Sequence, residues 1–172
     1  MAFRSGVTAK WLACAALGVV VLVQSAMGWS QGAEPAGVGG VVQKPAALRT
    51  IAFMTDFDEK DDAVGICRAV MEGVAPGVRI FDITHQVTPF DIAQGARFLA
   101  GSAPYFARDA VFVVVIDPTV GSTRKAIIAK SKRGQFFVLP DNGLLTLVQD
   151  RDGIEAVREI KNPEWMIGAK TS

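Results

Sequence analysis

Between residues 50 and 116 the apolar positions switch repeatedly between two periods. "TIAFM" (50–54) is a short apolar run of strand length. "DDAVGICRAVMEGV" (61–74) then places Val64, Cys67, Val70, Met71 and Val74 at helical spacing. "VRIFDIT" (78–84) reads as a strand, and "DIAQGARFLAGSA" (91–103) as a helix with Ile92, Ala96 and Leu99 on one face and Thr88 or Asp91 as its cap. "AVFVVVI" (110–116) is apolar throughout, as a strand covered on both faces should be. "KAIIAKS", "QFFVL" and "AVREI" follow as shorter strands, with a small helix at "NGLLTLV" between the last two. Strand–helix–strand–helix–strand predicts an α/β fold, a Rossmann-like parallel sheet flanked by helices with right-handed crossovers.

The N-terminus follows a different pattern. Arg4 and Lys10 precede an apolar run from Trp11 to Val23, and small residues follow around Ala26 and Gly28. This is the layout of a cleavable signal peptide over residues 1–28, and it predicts export to the periplasm or exterior. The run is short for a bilayer core of roughly 30 Å, which makes an uncleaved membrane anchor the lesser alternative. Residues 29–48 are rich in Gly, Ala and Pro without a sustained period and read as a flexible linker, so the folded domain is 49–172.

Charge narrows the partners. The whole chain has 18 Lys+Arg and 17 Asp+Glu, and residues 1–28 hold two of the basic residues and none of the acidic ones. The mature chain is therefore close to neutral, with no basic run or aromatic–basic interleaving, which argues against nucleic acid. One remaining cysteine and one histidine cannot build a structural zinc site.

Candidate chemistry gathers where the strands end. The first strand runs into Thr55-Asp56, the second into Thr84-His85, the third into Asp117 and the fifth into Pro140-Asp141-Asn142-Gly143. Ligands of open α/β sheets bind at that edge. A carboxylate beside a core is costly to keep without a use. Asp117 also has a cation returned to it, since Arg124 follows after a "PTVGST" turn. The plainer reading of that pair is a surface ion pair closing the turn.

The acidic cluster Asp56, Asp58, Glu59, Asp61 and Asp62 first suggests a hard cation. It is similar to the Asp-x-Asp-x-x-x-Asp-Asp run of calcium-dependent nucleoside hydrolases, but is one residue short between its pairs. On a helix that deletion turns the last pair by about 100°, so the ligand set does not carry over. The plain alternative is that Asp61 and Asp62 favour a helix N-terminus while Asp58 and Glu59 are solvated.

"TDF…DDAVG", "DITHQVTPFDIAQGARFL", "PYF", "VVVIDPTVGSTRKAI" and "LPDNGLL" occur in an order and at spacings that resemble the S-adenosylmethionine (SAM) hydroxide adenosyltransferases, relatives of the fluorinase and chlorinase. The resemblance covers roughly residues 50–148. It implies hydrolysis of SAM to adenosine and L-methionine by water or hydroxide attack at ribose C5′. By that resemblance Asp117 and Arg124 are catalytic, and Asp56, Phe90, Ser122 and Asn142 bind substrate; the plainer alternative for Phe90 is a place in the core. Asp56 would hold the ribose hydroxyls, for which an acceptor-only carboxylate is suited. SAM is the substrate, and no cofactor or metal is implied. A unit charge about 4 Å from a halide costs on the order of 4 kcal/mol at an effective dielectric of 20, so Asp117 favours water over chloride or fluoride.

The resemblance also has gaps. In the family the catalytic histidine belongs to a later "TFHGRD"-like motif, and a C-terminal β-barrel supplies adenine and neighbouring-subunit contacts; both are expected to be missing from this chain. The domain is thus expected to be truncated, with a homotrimer expected of a protein carrying both domains. His85 is expected to be structural or site-lining rather than a substitute. Asp58 and Thr119 stand where the family commonly has Gly; a left-handed backbone at Thr119 would cost about 1–2 kcal/mol. The alternatives to the hydrolase are a non-catalytic, truncated adenosyl-ligand binding module and a calcium-dependent nucleoside hydrolase.

Overall fold

The computed structural model describes residues 49–60, 62–119 and 122–162. The expected signal peptide and linker, together with Asp61, lie outside the described residues. The described chain runs β1 (Thr50–Thr55), α1 (Ala63–Val74), β2 (Arg79–Thr84), α2 (Ile92–Ser102), a 3-10 turn (Ala103–Tyr105), β3 (Val111–Val115), β4 (Ala126–Ser131), β5 (Phe136–Pro140), α3 (Thr146–Asp152) and β6 (Ile154–Glu159).

These form one six-stranded sheet in the order β2-β1-β3-β5-β4-β6. The β2, β1, β3 and β5 strands are parallel, as the alternating pattern implies. The β4 strand is antiparallel to both β5 and β6, so the α/β sheet is mixed rather than wholly parallel. The reason is the link between Ser131 and Phe136, which is too short for a crossover of a dozen or more residues. It is instead a tight hairpin in which Gly134 takes φ +97° and the Gly134 amide donates to Ser131 O at 2.8 Å.

The sheet has a buried layer on each face. Alternate residues Ala52, Met54, Phe112, Val114 and Phe137 pack with Leu99 of α2 and Val148 of α3. The opposite set, Ile51, Phe53, Val111, Val113 and Val138, packs with Cys67 and Met71 of α1. This two-residue alternation explains why β1 and β3 are apolar at every position: both faces are covered. It also puts α1 and α2 on opposite faces of β1, with β2 and β3 on either side of it. The crevice between the carboxyl ends of β1 and β3 is therefore the topological switch point.

Asp91 caps α2, its Oδ1 accepting from the Gln94 amide at 2.8 Å, and Gln94 Oε1 accepts in return from the Thr88 amide at 2.6 Å. These bonds stiffen the loop between β2 and α2, which borders the crevice. Asp62 occupies the N-cap of α1 without a side-chain cap bond.

Candidate active site at the carboxyl edge of the sheet

The parallel register sets the site. Thr55 of β1 pairs with Val115 of β3, so Asp56 follows one residue, and Asp117 two residues, after that last pair on neighbouring strands about 4.8 Å apart. His85 leaves the end of β2 on one flank, and Asn142 follows β5 on the other.

Asp117 is held by its own turn. Its Oδ1 accepts from Arg124 Nη1 at 2.9 Å, from the Thr119 amide at 2.9 Å and from Thr119 Oγ1 at 3.3 Å. The carboxylate is 12% exposed and the guanidinium 25%, so the pair is partly desolvated rather than a loose surface contact. Among the described residues no donor reaches Oδ2. Thr119 is not in the left-handed region, so the cost expected of a β-branched residue there does not arise. Its amide and hydroxyl instead serve Asp117, which a glycine could only half do.

Asp56 is fixed from the other side. Its Oδ2 accepts from the Phe90 amide at 2.9 Å, a bond spanning 34 residues. Phe90 has φ +67°, and Asp58, two residues after Asp56, has φ +63°; these are the positive-φ non-glycine residues of the described chain. Asp tolerates that region better than most side chains, so Asp58 can stand where a Gly was expected. A bulky Phe there is strained by about 1–2 kcal/mol, and such strain concentrates at functional sites. The result is a Phe90 ring 61% exposed beside Asp56.

The other expected substrate contacts are engaged in the fold. Asn142 Nδ2 donates to Ile116 O at 2.8 Å and its Oδ1 accepts from the Leu144 amide at 3.3 Å, tying the end of β3 to the turn before α3. Ser122 is exposed; its Oγ accepts from the Arg124 amide at 3.2 Å and lies 3.4 Å from Thr119 Oγ1. It shapes the turn that returns Arg124 to Asp117. Neither residue was singled out by the sequence for this scaffolding, and that of Asn142 depends on β5 lying beside β3. Among the described residues no three of His, Cys, Asp and Glu converge as metal ligands would.

The family described as "SAM hydroxide adenosyltransferase N-terminal domain" matches residues 51–172. The chain belongs to this family. It is 42% identical over 128 residues to the (R)-S-adenosyl-L-methionine hydrolase of Salinispora arenicola (strain CNS-205), covering 74% of this chain and 48% of that protein. The (R)-S-adenosyl-L-methionine hydrolase of Methanocaldococcus jannaschii is 38% identical over 130 residues, with 73% and 49% covered. The fluorinase of Actinoplanes sp. (strain N902-109) is 31% identical over 134 residues, with 65% and 45% covered. The crystal structure of an uncharacterized conserved protein from Thermotoga maritima superposes with a TM-score of 0.65 at 43% identity, over 66% of this chain and 44% of that one. The chain spans about half the length of the curated relatives it matches.

Proposed function

We propose that this adenosyltransferase-family chain hydrolyses SAM to adenosine and L-methionine. The observation that carries the reading is the arrangement of Asp117: three donors converge on Oδ1, and among the described residues none reaches Oδ2, which in this reading accepts from a water. In this scheme the water oxygen attacks ribose C5′ and the C5′–S bond breaks. Its electron pair goes to the sulfonium, and methionine leaves as a neutral thioether. The proton of the water passes to Asp117 Oδ2, and adenosine keeps the new hydroxyl. The leaving group is already activated, so positioning the nucleophile in line is the main demand on the protein. Arg124 stays charged and orients Asp117 through Oδ1. Asp56 accepts from the ribose hydroxyls with Phe90 beside it. Neither cofactor nor metal enters the scheme.

The test is incubation of the chain with SAM, following adenosine and methionine by chromatography, with Asp117→Asn in parallel. Adenosine from the wild type and not from the variant supports the reading. Saturable binding of SAM without turnover would replace it with the adenosyl-binding module. Calcium-dependent cleavage of inosine would replace it with the nucleoside hydrolase. Export by residues 1–28 is part of the same proposal, tested by sequencing the N-terminus of secreted protein. A homotrimer is proposed for a protein carrying both domains, tested by light scattering.

A further inference from the structure

We propose that His85 is a positioning residue for Asp56, acting through the hydroxyl of Thr55. His85 is 2% exposed, its ring meeting Phe53 edge-on at 4.8 Å. Its Nδ1 lies 2.9 Å from Thr55 Oγ1. Thr55 is fully buried, and the same oxygen accepts from the Phe57 amide at 3.2 Å. The His85 carbonyl accepts from the Asp58 amide at 2.8 Å. His85 therefore grips the segment on both sides of Asp56, by its ring at Thr55 and by its backbone at Asp58.

The other ring nitrogen shows why a histidine is needed. Nε2 lies 3.3 Å from Asp82 Oδ1, yet is out of hydrogen-bonding geometry and has no hydrogen-bond partner among the described residues. A residue present only to pack on Phe53 could be an apolar ring, with no orphaned nitrogen to bury. The bond at Nδ1 is what an apolar ring cannot supply. The Asp82 carboxylate on the side of Nε2 favours the imidazole proton at that nitrogen, and the Thr55 hydroxyl, which accepts from the Phe57 amide, then donates its own proton to Nδ1. The β1–β2 register slips between Phe53 and Met54, next to this contact, and such irregularities re-aim side chains beside sites. The consequence for ligand binding rests on the reading of Asp56 as the ribose ligand; the positioning itself does not.

The experiment uses His85→Phe, which keeps a ring and loses Nδ1, and His85→Asn, which puts a polar atom back near the Nδ1 position. Thr55→Val, which removes only the hydroxyl, is a second route if His85→Phe does not fold. Hydrogen exchange of the Phe90 amide reports the Asp56–Phe90 bond, with the Val113 amide in β3 as internal reference. In His85→Phe and Thr55→Val the Phe90 amide is expected to exchange about tenfold faster while Val113 is unchanged, with His85→Asn much closer to wild type. Adenosine affinity should weaken about tenfold in the same two variants and recover in His85→Asn. Nitrogen NMR of the wild type is expected to find the imidazole proton on Nε2. A proton on Nδ1, an unaltered Phe90 exchange rate, or acceleration shared equally by Val113 would overturn the proposal. If wild type binds no adenosine at all, the ribose reading fails, while the exchange and NMR results still decide the role of His85.

Discussion

Arg124 Nη1 and the Thr119 amide both donate to Asp117 Oδ1 at 2.9 Å, so one oxygen of this carboxylate is committed to the fold, and no donor among the described residues reaches the other. Asp117→Asn keeps the volume and replaces an acceptor-only group with one that must donate on one side. Turnover of SAM is expected to fall by roughly 10²–10⁴-fold, the usual contribution of a placed proton acceptor, with little change in affinity. A variant within a few-fold of wild type would remove Asp117 from the chemistry. Steady-state kcat and KM measured separately give the answer.

Arg124→Lys keeps the charge and loses the planar fork. The Thr119 amide still holds Oδ1, so Asp117 is loosened rather than released. Activity is expected to drop less than in Asp117→Asn, and Arg124→Ala should fall between them or match the Asn variant. In the double variant the two losses should not add, because both act on one carboxylate. Fully additive losses would assign Arg124 to a separate contact.

Much of this was readable from the chain. The β1–α1–β2–α2–β3 run carries its periods openly, because β1 and β3 are covered on both faces and the helices on one. Asp56 and Asp117 were legible because each ends such a strand. The antiparallel β4 was not, since its burial alternates in a way that fits either direction; only the short link to β5 fixes it. The helix expected at 142–148 lies at Thr146–Asp152, displaced because Asn142 and Gly143 are occupied in the turn that ties to Ile116. Phe90 owes its strained backbone to a carboxylate 34 residues earlier, a long-range cause that no local pattern carries.

Asp56→Ala removes the acceptor that holds the Phe90 amide as well as the proposed ribose contact. Hydrogen bonds to a charged group are worth roughly 1.5–3 kcal/mol, so adenosine affinity should fall by about tenfold to a hundredfold. Part of that loss should appear as release of Phe90 from its left-handed conformation. Calorimetric titration with adenosine checks the affinity. Binding as tight as wild type would mean that the ribose is held elsewhere.

Gly95, in the first turn of α2, has no room for a side chain. A Cβ there would collide with Ile116 Cδ1 and would lie 2.9 Å from Leu144 Cδ2. Ala raises helix propensity by about 1 kcal/mol over Gly. Overpacking a buried contact costs roughly 1–3 kcal/mol, so the clash is expected to win and Gly95→Ala to destabilise by up to about 2 kcal/mol. Because Ile116 O accepts from Asn142, the shift would also reach the end of β3, beside Asp117. Chemical denaturation measures the stability, and a stabilised variant would show that the two side chains yield freely.

A second support of α2 depends on pH. Arg151 of α3 donates through Nη1 to the carbonyl of Ala100, in the last turn of α2. Its Nε and Nη2 donate to Asp152 Oδ1 and Oδ2 at 2.7 and 2.5 Å. Those hydrogen bonds from Arg151 hold the Asp152 carboxyl below its usual range; burial opposes the shift, and the charges of Arg151 and Arg133 add to it. The folded state thus favours the ionised carboxylate more than the unfolded chain does. Its contribution is fully present above the unfolded value near 4 and is lost as pH falls through the lower folded value. Wild-type thermal stability should therefore decline as the pH is taken from about 5 down through 3, and Asp152→Asn should flatten part of that decline while lowering stability at neutral pH. If wild type and variant lose stability in parallel across this window, the Arg151–Asp152 pair does not couple α2 to α3.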